Sequence, residues 1–113
     1  MITKYYGYQL VYNYRVFNPT SIAVSFNAYG GLGIKNSFEQ FVSINDTLVG
    51  QGPYTLSPGS SVDIKIGYIV GWPLLAGEIY SAKAYIVDVL TDDIIDEKIL
   101  WDAVFIAVEE EFL

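Results

Sequence analysis

Five acidic side chains crowd one short stretch of the sequence: Asp88, Asp92, Asp93, Asp96 and Glu97. Carboxylates at this density suit a hard cation, because Ca²⁺ takes several oxygen ligands at once. The spacing is not that of an EF-hand loop, and the central Gly of such a loop is missing. The same charges also serve a solvated turn, where they discourage edge-to-edge pairing. Asp88, Asp92, Asp93 and Asp96 are thus weak cation candidates, and we expect neither a bound metal nor any other cofactor.

Catalysis has little to draw on. The chain contains no His and no Cys, which removes the commonest general base, thiolate chemistry and Cys-ligated zinc. The carboxylates Glu39, Asp46, Asp63 and Glu78 are scattered over different segments, so no acid–base pair of the glycosidase type is indicated. The expectation is a non-enzymatic protein with no catalytic residue.

Contact chemistry is better represented. Gly71-Trp72-Pro73-Leu74-Leu75-Ala76-Gly77 places three large apolar groups in a loop between glycines. Loops run over the surface, and exposed Trp is a typical interface anchor. Trp72, Leu74 and Leu75 are therefore candidate binding residues, and Tyr5 and Tyr6 join them as aromatics ahead of the first patterned strand. The implied partner is protein, most simply a second copy of this chain. The competing structure is a loop folded down as a plug over one end.

The elements that would position these groups read as strands. From Gly7 to Phe17, Tyr8, Leu10, Tyr12, Tyr14 and Val16 alternate with Gln9, Asn13 and Arg15, a period of two. The corner Val16-Phe17-Asn18-Pro19-Thr20-Ser21-Ile22 stops that strand, since Pro19 fixes its own φ and pushes Asn18 out of the α region. Ile22, Val24, Phe26 and Ala28 then alternate again, until Gly30-Gly31-Leu32-Gly33 breaks the pattern as a turn or bulge. Residues 37–44 fit either a strand or one face of a short helix; a hairpin turn at Asn45-Asp46 leading into Thr47-Leu48-Val49-Gly50 favours the strand. A Pro58-Gly59 turn feeds Val62, Ile64, Ile66 and Tyr68. Glu78 to Leu90 is a further strand, closed at Thr91-Asp92-Asp93. In Ile94 to Val108, β-branched residues and the wrong dipole end for Glu109-Glu110-Glu111 favour strand over helix. There Ile95, Ile99, Trp101, Ala103, Phe105 and Ala107 would share the buried face.

Seven or so consecutive strands with short connections predict one all-β domain over residues 1–113, an antiparallel β-sandwich of immunoglobulin or fibronectin-III type. Ile22, Val24, Phe26, Val62, Ile64, Ile66, Trp101 and Phe105 are its expected core. With 52% hydrophobic and 17% charged residues, disorder is excluded. The net charge of −7 is uneven: residues 1–87 carry five basic and four acidic groups, residues 88–113 one basic and nine acidic. No basic stripe offers itself to nucleic acid. No apolar run is long enough to span a bilayer as a helix, and Met1 to Tyr6 lacks a signal-peptide apolar region. The compartment is left open.

The stretch Val16-Phe17-Asn18-Pro19-Thr20-Ser21-Ile22-Ala23-Val24 resembles the water-stress-and-hypersensitive-response domain of late-embryogenesis-abundant proteins. In those domains a strand ends in Asn-Pro and an alternating apolar strand follows. Ile44 to Gly52, then Leu56-Ser57-Pro58-Gly59-Ser60-Ser61, is similar to the family's middle portion. The likeness covers roughly residues 8–70 and is shared with many immunoglobulin-like and fibronectin-like modules. It implies a sandwich without an active site, in a stress-protective role. A carbohydrate- or Ca²⁺-dependent binding module is a further alternative. The acidic, aromatic final strand departs from the family pattern.

Overall fold

A computed structural model describes residues 1–48 and 52–107. Val49 and Gly50 of the expected middle strand, and Val108 with the Glu109–Glu111 triplet, lie outside the described residues. Eight strands form: β1 (Ile2–Lys4), β2 (Gln9–Phe17), β3 (Val24–Lys35), β4 (Phe41–Leu48), β5 (Tyr54–Leu56), β6 (Ser61–Ile69), β7 (Ile79–Asp88) and β8 (Ile94–Ile106). No helix is present among the described residues. Both ambiguous segments, 37–44 and 94–108, contribute strands, and β-branched side chains are the physical reason.

The strands form two sheets. The larger has the order β1-β8-β7-β3-β4, with β5 also pairing β3; the smaller is β2-β6 alone. All pairings are antiparallel except β1 on β8, which is parallel through Ile2↔Val104 and Lys4↔Ile106. The all-β expectation therefore holds, while the larger sheet is mixed rather than purely antiparallel.

Period-two patterning sets which residues meet between the sheets. Leu10, Tyr14 and Val16 of β2 and Ile64 and Ile66 of β6 share one core with Phe26, Ala28 and Leu32 of β3 and Ile86 of β7. Val104 and Ile106 of β8 complete that core, together with Leu74 from the 71–77 loop. The sheets approach closely at Gly30. A Cβ there would lie 2.6 Å from Ile66 Cγ2, closer than packed side chains tolerate.

Two expectations about local structure are corrected and one is narrowed. Asn45-Asp46 is not a turn: both residues lie within β4, opposite Leu32 and Gly31. The reversal comes earlier, where Asn36 Oδ1 accepts the N–H groups of Phe38 and Gln40 at 2.9 Å each. Of the turn or bulge expected at the glycine run, the bulge holds: the run continues β3, with the irregularity between Leu32 and Gly33. Ile22 is 68% exposed rather than buried, because the corner extends through Ala23 before β3 begins.

Candidate functional site

Asn18 anchors the end of the molecule where β2 passes to β3. The residue is buried, and its Nδ2 donates to the carbonyls of Ile22 (2.8 Å) and Leu56 (3.0 Å). Its Oδ1 accepts from the Thr20 N–H (3.0 Å) and the Thr20 hydroxyl (2.6 Å). Its backbone N–H donates to Ser60 O, and its carbonyl accepts from the Gly59 N–H. The whole hydrogen-bonding capacity of the side-chain amide is thus used. Pro19 belongs to no strand, as its missing N–H requires.

The acidic hairpin joins β7 to β8 at this same end, where Val89 N–H donates to Ser25 O. Asp88 caps the turn: its Oδ1 accepts the N–H groups of Leu90 (2.7 Å) and Thr91 (3.1 Å). Asp92 adopts a left-handed φ of 63°, which Asp tolerates better than most residues. Asp96 faces the other way and accepts a 2.5 Å hydrogen bond from the Tyr14 hydroxyl. Burial first, then this bond and the negative charges of Asp96 and Glu97, raise the Tyr14 pKa well above the usual phenol range. Among the described residues, no three acidic side chains converge on a point where a cation could sit.

The candidate contact residues meet at the opposite end. The chain breaks from β1 at Tyr5, turns at Gly7 (φ 87°) and enters β2. Gly7 N–H donates to Val70 O, and Val70 N–H to Tyr8 O, both at 2.9 Å. These bonds lay the tyrosine turn against the start of the 71–77 loop. The Tyr6 hydroxyl donates to the Leu74 carbonyl, and the Leu75 N–H donates to the Tyr80 hydroxyl at 2.7 Å. Leu74 is fully buried, which corrects the expectation that all three apolar loop residues lie exposed. It acts as the plug, while Trp72 stands 86% exposed and Leu75 is exposed beside it.

Sequence reading missed several members of this surface. Tyr8 shares parity with Leu10 yet is exposed, because it precedes the first residue of β2. Ile69 ends β6 with its side chain outward, and Phe38 is 79% exposed in the turn between β3 and β4. Chain direction places that turn at the same end. The Tyr5 and Tyr8 rings lie 6.0 Å apart.

The outer face of the larger sheet carries a separate aromatic group. Trp101 was expected in the core but is 39% exposed, and Phe105 is only half-buried. Even-numbered residues of β8 face inward on both sides of the register shift opposite Tyr80 and Ala82, so odd-numbered Trp101 and Phe105 face outward; Asp102 takes φ 50° at the shift, and its N–H donates to the buried Ser81 hydroxyl at 2.9 Å. Val104 and Ile106 face inward instead. Trp101 tilts against Phe41 at 6.3 Å, and Tyr29 stacks on Tyr85 at 5.3 Å. Lys35 lies 5.1 Å over Trp101, and Lys83 covers both Phe41 and Tyr85. Cations thus lie over one face each of Trp101, Phe41 and Tyr85.

No family model, curated protein or solved structure matches the chain. No helix among the described residues is long and apolar enough to cross a membrane.

Proposed function

We propose that the protein is a non-enzymatic contact module that assembles with protein, in the first instance with a second copy of itself, through the end bearing Trp72. The observation that carries this reading is the posture of the 71–77 loop. Leu74 is buried beneath it and Tyr6 is bonded to its carbonyl, so Trp72 is held outward on a supported base. Pre-ordering of this kind lowers the entropic cost of association, and Trp is the residue most enriched among interface hot spots.

The acidic hairpin stands apart from this end. Residues 1–8 and 69–79 hold one Lys and one Glu, Lys4 and Glu78. The acidic hairpin lies at the far end of β7, ten residues away. At about 3.3 Å per residue this separates it by roughly 30 Å, several screening lengths at physiological salt. The charge of that hairpin therefore does not oppose contact through Trp72.

The strand order supports an immunoglobulin- or fibronectin-type framework for the module. In that framework a β2-β6 sheet faces β8-β7-β3-β4, and the first strand runs parallel to the last. Sedimentation tests the assembly reading. The parent chain is expected to associate with rising concentration across the micromolar range, and Trp72→Ala to remain monomeric. If both sediment as monomers throughout, the reading fails.

A further inference from the structure

The longest strand of the molecule has an open edge. β8 runs for 13 residues, and among the described residues its edge away from β7 is paired only by β1, at Val104 to Ile106. From Ile94 to Asp102 no residue of the strand is buried. Ile94, Ile95, Leu100 and Trp101 stay between 39% and 56% exposed. Free edges are ordinarily blunted by Pro, by bulges or by charges pointing inward. Between Asp96 and Leu100, where pairing with β7 is regular, this edge has no Pro and no bulge. Its inward charges are Asp96 and Lys98, which are of opposite sign.

Backbone direction at the edge follows from the pairing on the other side. Ile106 N–H donates to Glu78 O and Asp88 N–H to Asp93 O, so the even-numbered residues of β7 turn their peptide groups toward β8. Asp96, Lys98 and Leu100, opposite Ile86, Ala84 and Ala82, answer them. Glu97 and Ile99, lying between, therefore turn their N–H and C=O groups away from β7, open to strand addition. Two identical antiparallel strands meet about a two-fold axis, which sets one residue opposite its own copy. Centring on Lys98 opposes like charges, and centring on Ile99 sets Asp96 against Asp102. Centring on Glu97 puts Asp96 of each chain directly opposite Lys98 of the other, twice over.

We propose that the free edge of β8 pairs with the same edge of a second copy, antiparallel and centred on Glu97, so that two larger sheets join into one. Lys98 has no ion-pair partner among the described residues. Tyr14 bonds only Oδ2 of Asp96, and the carboxylate has a second oxygen to offer the ammonium of the second copy. The two Glu97 side chains meet on the outer face, where each lies 3.4 Å from Lys83 of its own chain. In this register Asp93 stands opposite Trp101 of the second copy, so the two acidic hairpins lie roughly 25 Å apart and are screened from one another. An edge contact of this length is small for an interface. Pairing is therefore expected at millimolar concentration, above the range in which Trp72→Ala is expected to remain monomeric. The surface is separate from the Trp72 end and does not rest on the contact proposed there.

The experiment is amide hydrogen exchange in the full chain carrying Trp72→Ala, so that the loop contact plays no part. Between micromolar and millimolar protein, exchange at Glu97 and Ile99 should slow about twofold or more, as mass action requires of a partly populated pair. Lys98→Glu and Asp96→Lys each set like charges face to face, and either alone should abolish the slowing. Mixed in equal amounts the two variants should restore it, because each then meets its opposite. Ile99→Pro deletes an outward N–H, a change tolerated on a free edge, and should abolish the slowing while the β7-facing amides stay protected. Three results would overturn the proposal: exchange at Glu97 and Ile99 that does not depend on concentration, slowing that persists in folded Lys98→Glu or Ile99→Pro, or no recovery when the two folded charge variants are mixed.

Discussion

Asn18 joins three separate segments: its side-chain amide bonds the corner and β5, and its backbone bonds the turn before β6. Removing the side chain leaves the carbonyls of Ile22 and Leu56 short of a donor, so Asn18→Ala should cost about 2–4 kcal/mol, read from urea unfolding. Tyr14 makes a different point. Its raised pKa means the folded state favours the neutral phenol. Its stabilising contribution is therefore fully present below the unfolded phenol pKa of about 10 and is lost as pH rises beyond it. Tyr14→Phe should show a shallower loss of stability above that pH, measured by thermal melts across the alkaline range. The sequence announced the corner through Asn18-Pro19, but nothing local revealed that Asn18 would be buried, since its partner at Leu56 is remote. Ile22 misleads in the opposite sense: it keeps parity with Val24 and Phe26, yet precedes the strand.

At the scale of elements, alternation was a sound guide wherever one face of a strand met the other sheet. Leu10, Tyr12, Tyr14 and Val16, opposed by Ile64 and Ile66, lie where a period of two puts them. Phe26→Ala should accordingly lose about 3–5 kcal/mol. In β8 the guide failed, because apolar residues occupy both faces of the strand and Trp101 lies on the outward, odd-numbered one, beside a bulge. Its buried partner is the hydroxyl of Ser81, and a small polar residue in a strand carries no visible sign of such a duty. Gly30 was likewise unreadable: its lack of a side chain serves Ile66 on another sheet. Gly30→Ala should cost about 1–3 kcal/mol by overpacking, whereas Ile22→Ser should lie within about 0.5 kcal/mol of the parent. A denaturant series on these variants separates packing positions from exposed ones.

Taken whole, the molecule has two unlike ends: apolar around Trp72, and acidic around the β7–β8 hairpin. The loop's glycines, Trp72, Tyr5 and Tyr6 marked the first in the sequence, and its extent emerged only once Tyr8, Phe38 and Ile69 were drawn in from distant segments. Because Asp88 is committed to its turn and Asp96 to Tyr14, millimolar Ca²⁺ should leave the melting temperature unchanged; a rise of several degrees would reveal a site formed by ligand-driven rearrangement. The parallel pairing of β1 with β8 bears on another property, resistance to force. A tether drawn back from Met1 and another drawn forward beyond Ala107 would pull along these two strands in opposite directions. The bonds between Ile2–Lys4 and Val104–Ile106 would then be sheared together rather than peeled one by one. A chain strung between two attachments would meet its first mechanical barrier at this short ladder, far from the corner and the acidic hairpin.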